Sequence, residues 1–216
     1  MNNRKKILIG IPSMDMVAAG FAASLATLTK VTGEYESSIS FICSSLIYDA
    51  RNKISMQAIQ NEADYVMWFD SDMVFEKDTL QRLIDDIEKK GCDIVSGLYF
   101  RRTMPFTPVL FSKLDITDGK ATWENYEGEL SGLVPVEGFG FGCVLMKTEV
   151  IFEVFSRYTD CFSPIGKVGE DLSFCYRAKE CGFKMFADLD VKCGHVGNHV
   201  ITQSFYENFR GAKNEG

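Results

Sequence analysis

The run "YVMWF", residues 65–69, is apolar at every position and ends on Asp70. A strand sends successive side chains to opposite faces, so a strand apolar throughout must be covered on both sides. That is the middle of a parallel sheet sandwiched by helices. The neighbouring sequence supplies the other parts. "KILIGI" reads as a first strand ending at Pro12, "SISFICSS" as a second and "CDIVSGLYF" as a later one. "YDARNKISMQAIQNEA" reads as a helix, with Ala50, Ile54, Ala58 and Ile59 roughly at helical spacing and Asp49 as a candidate N-cap. In the next helix Leu80, Leu83, Ile84 and Ile87 form one stripe. Asp78 is its expected N-cap, Gln81 completes a capping-box-like pattern, and Lys89, Lys90 and Gly91 suit its end. Strands alternating with helices predict an α/β sheet with right-handed crossovers.

After residue 100 the pattern changes. "TPVLFSKLDITDGKATWENYEG" reads as extended segments around a turn at Asp118-Gly119. "VPVEGFGFGCVLMK" is strand-like with closely spaced glycines, and "TEVIFEVFSRY" is a short helix capped by Thr148. "EDLSFCYRAKECG" reads as an amphipathic helix, with Leu172, Cys175, Tyr176 and Lys179 at helical spacing. "KMFADLDV" is a strand leading into "CGHVGNHV", and "RGAKNEG" reads as a frayed end. At 216 residues and 46% hydrophobic, the chain suits one domain over 1–216 with a sizeable core. A net charge of -7 argues against nucleic acid as a partner. The 7 cysteines show neither CxxC nor zinc spacing, which suits small buried residues in a reducing compartment. The first 26 residues imitate a signal peptide, but Pro12 and Asp15 interrupt the apolar stretch and "KKILIGIPS" also reads as strand and loop. No run is long enough to span a membrane, so a cytoplasmic protein is expected.

Three pieces can carry chemistry. In an extended strand Asp70 and Asp72 point to the same side, at the carboxyl end of a central strand, where open α/β sheets bind ligands. Two close carboxylates want a cation between them, and oxygen donors suit Mg²⁺ or Mn²⁺. Glu170 and Asp171 open a helix, where the dipole and free N–H groups favour acidic residues. The only 2 histidines, His195 and His199, lie in "GHVGNHV", and imidazole ligates Mn²⁺. Each piece also has a plainer reading: a solvated turn, an ordinary helix start, a structural histidine.

In this order the pieces resemble the GT-A-fold, nucleotide-sugar-dependent glycosyltransferases. The resemblance runs through "IPS", "ARN", "WFDSDM" as a DxD motif, "EGFGFGCVLMK", "GED" as an xED motif and a C-terminal "HVG". It is nearest to compact bacterial or phage-type enzymes, with some likeness to mannan-polymerase-type transferases. It implies a mixed, mainly parallel sheet flanked by helices, with a nucleotide-binding half over about 1–100 and a small extended acceptor-side region in the rest. It implies that Asp72 binds a metal bridging the donor diphosphate, that Asp70 reaches the metal, its waters or the ribose, and that His195 is a third ligand. Pro12, Ser13 and Asp15 would lie beside base and ribose, and Arg51 would face the nucleotide or diphosphate. Asp171 is the implied general base, with Glu170 the second candidate. Gly138, Gly140 and Gly142 would let the backbone approach donor sugar or acceptor. The implied partners are a UDP- or GDP-sugar, Mn²⁺ or Mg²⁺, and a saccharide, lipid or protein acceptor. The xED motif leans towards inversion and the mannan-type likeness towards retention.

Trp68 reads as core. Trp123 and Tyr126 could stack on an acceptor sugar, and Arg101 and Arg102 could meet the diphosphate or an acidic acceptor. One alternative is a haloacid-dehalogenase-type phosphatase with Asp70 as nucleophile, since "DSDMV" fits its motif, although that family carries it on the first strand. Another is a sugar-nucleotide-binding protein without turnover.

Overall fold

The computed structural model describes residues 4–28, 35–197 and 200–214. His199 lies outside them. The elements in chain order are β1 (Lys6–Ser13), α1 (Ala19–Leu28), β2 (Glu36–Cys43), α2 (Ile47–Gln60), β3 (Tyr65–Phe69), β4 (Met73–Val74), α3 (Thr79–Lys90), β5 (Ile94–Leu98), β6 (Leu110–Thr117), β7 (Lys120–Asn125), β8 (Leu133–Pro135), β9 (Gly138–Phe139), β10 (Cys143–Lys147), α4 (Thr148–Tyr158), α5 (Glu170–Glu180), β11 (Met185–Lys192), β12 (Gly194–Val196), β13 (Val200–Ile201) and α6 (Gln203–Asn214).

The main sheet has 7 strands in the order β2-β1-β3-β10-β5-β11-β8. β1 pairs in parallel with β2 and β3, and β5 in parallel with β11. β10 runs antiparallel between β3 and β5, and β8 is an antiparallel edge. The sheet is therefore mixed and mainly parallel. β3 sits inside it, and its side chains divide between two cores. Val66 and Trp68 join Leu8, Ile94 and Val144 under α2, α4 and α5. Tyr65, Met67 and Phe69 join Ile7, Ile9, Val95 and Leu145 under α1 and α3. This is the reason the strand is apolar at every position.

Helix α3 buries Leu80, Leu83, Ile84 and Ile87 as its sequence stripe predicts, and Gly91 ends it with φ 74. Its expected cap is absent. Asp78 has φ -96 and ψ 0, makes no capping hydrogen bond, and Gln81 bonds Asp85 instead. Each buried aliphatic stabilises by about 1.5–3 kcal/mol, whereas a cap is worth about 1, so the stripe forms this helix unaided. Similarly, Leu46 rather than Asp49 precedes α2, and Lys147 precedes α4, with Thr148 already inside the helix.

Three elements differ from the sequence reading. β1 forms where "KKILIGIPS" reads as a strand, but it is followed by an unexpected helix, α1, whose buried Phe21, Ser24, Leu25 and Leu28 keep helical spacing. α1 has no polar face to mark it, since "AGFAASLATL" is small or apolar almost throughout. Of the supposed frayed end, residues 210–214 belong to α6, and the last two lie outside the described residues. Of the expected stripe Leu172, Cys175, Tyr176 and Lys179, α5 buries Cys175 and packs Leu172 and Tyr176 partly buried against the core, and its deepest face also takes in Ser173, Phe174, Arg177 and Ala178. Lys179 leaves the core to meet Glu137 Oε2 at 2.6 Å, and Arg177 donates to the Cys161 carbonyl at 3.0 Å. No helix among the described residues is long and apolar enough to cross a membrane.

Candidate active site

Because β1, β2, β3, β5 and β11 run the same way, their carboxyl ends share one edge of the sheet. Residues following β3, β5 and β11 meet there. The antiparallel β10 starts at the same edge, with Cys143 opposite Phe69.

Asp70 and Asp72 do not continue β3 as an extended strand. The chain turns, with Met73 N–H donating to the Asp70 carbonyl at 3.1 Å, and this turn rather than strand pleat brings the carboxylates to the edge. They then face different partners. Asp70 Oδ1 accepts from Arg51 Nη2 at 2.9 Å. Asp72 Oδ2 lies 2.8 Å from Arg102 Nη1 and 3.5 Å from His195 Nε2. Burial raises the Asp70 carboxyl above its ordinary range, against the pull of Arg51 and with the charge of Asp72 adding to the rise. Burial also works to raise Asp72, but His195 and Arg102 outweigh it and hold that carboxyl below its ordinary value.

Arg51 is only 1% exposed. Its guanidinium lies 5.0 Å from the Phe141 ring centre and 5.9 Å from that of Phe162. Its Nε stands 3.6 Å from Glu170 Oε1, and Nε and Nη1 have no hydrogen-bond partner. Arg51, expected to face the nucleotide or diphosphate, is a buried cation that α2 places against Asp70 and Glu170. α5 starts at Glu170, and Asp171 Oδ1 accepts from Leu172 N–H at 2.8 Å. Burial, then the charge of Glu170, pushes the Asp171 carboxyl up to about 6, although Leu172 N–H and Arg51 oppose the rise.

Tyr99 was missed by sequence reasoning. It is buried, its hydroxyl accepts from Gly142 N–H at 3.2 Å, and its ring meets His195 edge-on at 5.6 Å. Burial and the charges of Asp70 and Asp171 raise its phenol well above the ordinary value. The glycine spacing was the available signal. A Cβ at Gly140 would strike the Tyr99 hydroxyl, and one at Gly142 would lie 2.8 Å from its ring. These glycines make room for Tyr99, and Gly138 makes room for Leu114, Leu172 and Phe111.

Pro12 and Ser13 line a cavity of about 200 Å³ with Ser44, Ser45, Ala50 and Ser71, beside the aspartate turn. Asp15 is exposed outside that lining. Trp68 is fully buried. Trp123 and Tyr126 lie on or beside the β6–β7 hairpin rather than in a free loop, Trp123 being 49% exposed. Tyr126 lines a separate cavity of about 250 Å³ with Tyr206.

Among the described residues no three His, Cys, Asp or Glu side chains form a ready-made metal nest. Asp72 and His195 nonetheless fit a divalent ion. His195 Nδ1 is 2.9 Å from the Phe100 carbonyl, which can only accept, so Nδ1 carries a proton. In the neutral ring, Nε2 then aims a lone pair at Asp72 Oδ2. With the ring neutral, two acceptors face each other at 3.5 Å, a gap that either a proton on Nε2 or a metal ion can bridge. Adjacent ligands of an octahedral ion at about 2.1 Å lie roughly 3 Å apart, close to this spacing. Asp70, committed to Arg51, is better placed for waters or substrate than for a third direct bond.

Residues 48–154 match the family described as Glycosyl transferase family 2. The crystal structure of A197 from STIV is similar with a TM-score of 0.64 and 20% identity, over 92% of this chain and 94% of that one, a likeness of fold. No curated protein matches the chain. Mixed sheet, site edge and family match together support a compact GT-A-type glycosyltransferase, the likeness to family 2 running over residues 48–154.

Proposed function

We propose that the protein moves a sugar from a UDP- or GDP-sugar to an acceptor hydroxyl, with Mn²⁺ or Mg²⁺ held by Asp72 and His195. The carrying observation is the His195–Asp72 pair, whose ring proton is fixed on the far nitrogen by the Phe100 carbonyl. A divalent cation there supplies a Lewis acid for the charge that develops on the departing nucleoside diphosphate. The chain's own residues do the rest. The cavity beside Pro12 and Ser13 takes base or ribose, in a nucleotide-binding half over about 1–100. Asp70, steadied by Arg51, orders metal-bound water or the ribose.

Asp171 accepts the proton of the acceptor hydroxyl as that oxygen attacks the anomeric carbon. A carboxylate raised to about 6 is ionised at neutral pH yet more basic than an ordinary one. Direct attack assisted by such a base inverts the anomeric centre. The acceptor, a saccharide, lipid or protein hydroxyl, is bound by the half beyond about residue 100, and the enzyme works in the cytoplasm.

The test is calorimetric titration of UDP, GDP and their sugars with and without Mn²⁺, repeated on Asp72→Ala. Nucleotide binding that requires Mn²⁺ and falls at least about tenfold in the variant is the expected result. Binding indifferent to both metal and Asp72 sinks the reading.

A further inference from the structure

We propose that Arg102 stands in for the divalent cation on Asp72 and, once the cation binds, passes to the diphosphate of the donor. The inference rests on the metal-dependent reading above and assigns a donor-binding role to a side chain outside the DxD, xED and histidine motifs. It starts from a conflict at one atom. Asp72 Oδ2 is the oxygen nearest His195 Nε2, at 3.5 Å, and the same oxygen holds Arg102 Nη1 at 2.8 Å. A cation shared by Asp72 and His195 needs that oxygen. A guanidinium and a divalent ion a few ångströms apart repel each other strongly, so the two compete for it.

Arg102 is built to leave. It is 50% exposed, it follows β5 in a surface segment, and its other contact is a marginal 3.4 Å approach to the Val196 carbonyl. Arg51 has the opposite character: it is enclosed, under two rings, and already committed to Asp70 and Glu170. Of the two arginines that neutralise the aspartate turn, only Arg102 can move without opening the core. Released from Asp72, it remains tethered at the mouth of the site, where an incoming diphosphate carries negative oxygens. Its planar fork suits two phosphate oxygens at once.

The exchange couples the two ligands. Metal alone must break the Arg102–Asp72 pair, whereas metal with diphosphate replaces it by an arginine–phosphate pair. Diphosphate therefore promotes metal binding, and metal promotes diphosphate binding by the same factor. A residue that only supported the loop would not do this.

The experiment follows free Mn²⁺ by electron paramagnetic resonance while the metal is titrated into wild type, Arg102→Met and Arg102→Lys without nucleotide. UDP and GDP are then titrated into each Mn²⁺-saturated protein. Arg102→Met should bind Mn²⁺ alone about 2–5-fold tighter, having lost a half-exposed competitor. It should bind the nucleoside diphosphate about tenfold weaker, having lost a charge-assisted contact. Arg102→Lys should fall between, because a point charge replaces the fork. The opposite signs are the signature. If Arg102→Met leaves either affinity unchanged, or weakens the metal, the exchange is wrong while wild-type Mn²⁺-dependent binding keeps the transferase reading alive. If wild type binds neither Mn²⁺ nor nucleotide, the metal-dependent reading falls and the exchange with it. A thermal midpoint close to wild type will show that both variants are folded.

Discussion

Asp171→Asn will lower kcat/KM by about 10²–10⁴-fold and raise the thermal midpoint at neutral pH. The two effects have one cause. The Asp171 carboxyl is raised from 3.8 to about 6 by burial and by Glu170, so ionising it works against the fold. Its favourable contribution is complete below about pH 3.8 and is lost as pH rises through about 6. Wild type at pH 7 therefore carries the whole penalty and the asparagine variant none. After screening at a site that still touches water, the gain should be about 1–2 kcal/mol, or several degrees for a chain of this length. The same shift sets the pH profile: kcat/KM should climb through about pH 6 and level above it. Steady-state assays from pH 5 to about 8 and scanning calorimetry test both claims. A variant within a few-fold of wild type, or an acid limb that survives the substitution, removes Asp171 as the base. A stability loss would remove the argument from burial.

Arg51→Met will have the largest effect on stability, a loss of about 3–5 kcal/mol. The guanidinium is 1% exposed and neutralises Asp70 at 2.9 Å and Glu170 at 3.6 Å. Methionine fills much of the volume but leaves the partly buried Asp70 charge, its side chain 27% exposed, without its partner, and that uncompensated charge is the main cost. A midpoint drop of roughly 10 °C or more follows for a chain of this size. Adding Asp70→Asn should restore part of the loss, because the orphaned carboxylate is then gone. Calorimetry of the single and double variants decides. A near-neutral single variant, or a double variant no more stable than the single, means that the pair does not balance as described. Activity should fall in both, since Arg51 underlies Asp70 and Glu170 together.

Much of the sheet could be read directly from the sequence because its signals are local. The two-faced apolar pattern of Tyr65–Phe69 requires cover on both sides, and the two core clusters supply it. The Asp118-Gly119 turn was legible because both residues need positive φ, found at 51 and 71. The stripe of α3 was legible for the same reason, while its cap was not, because burial outweighs capping. α1 escaped notice because a helix of small and apolar residues has no polar face to set its period.

Of the site, the sequence by itself determined the residue types and their order: an aspartate pair after a buried strand, an acidic pair opening a helix, and a histidine between glycines. Those features depend on neighbours within a turn or two. Only the tertiary structure decided which charge meets which. The Phe100 carbonyl that sets the His195 ring is 95 positions away, and Arg102 is 30 from Asp72. Arg51 is buried because Phe141 and Phe162 close over it from distant segments. These pairings depend on strand order, and on β10 entering antiparallel between β3 and β5. Hydrophobic period says which face of a strand is buried, but nothing local to a strand says which strand lies beside it.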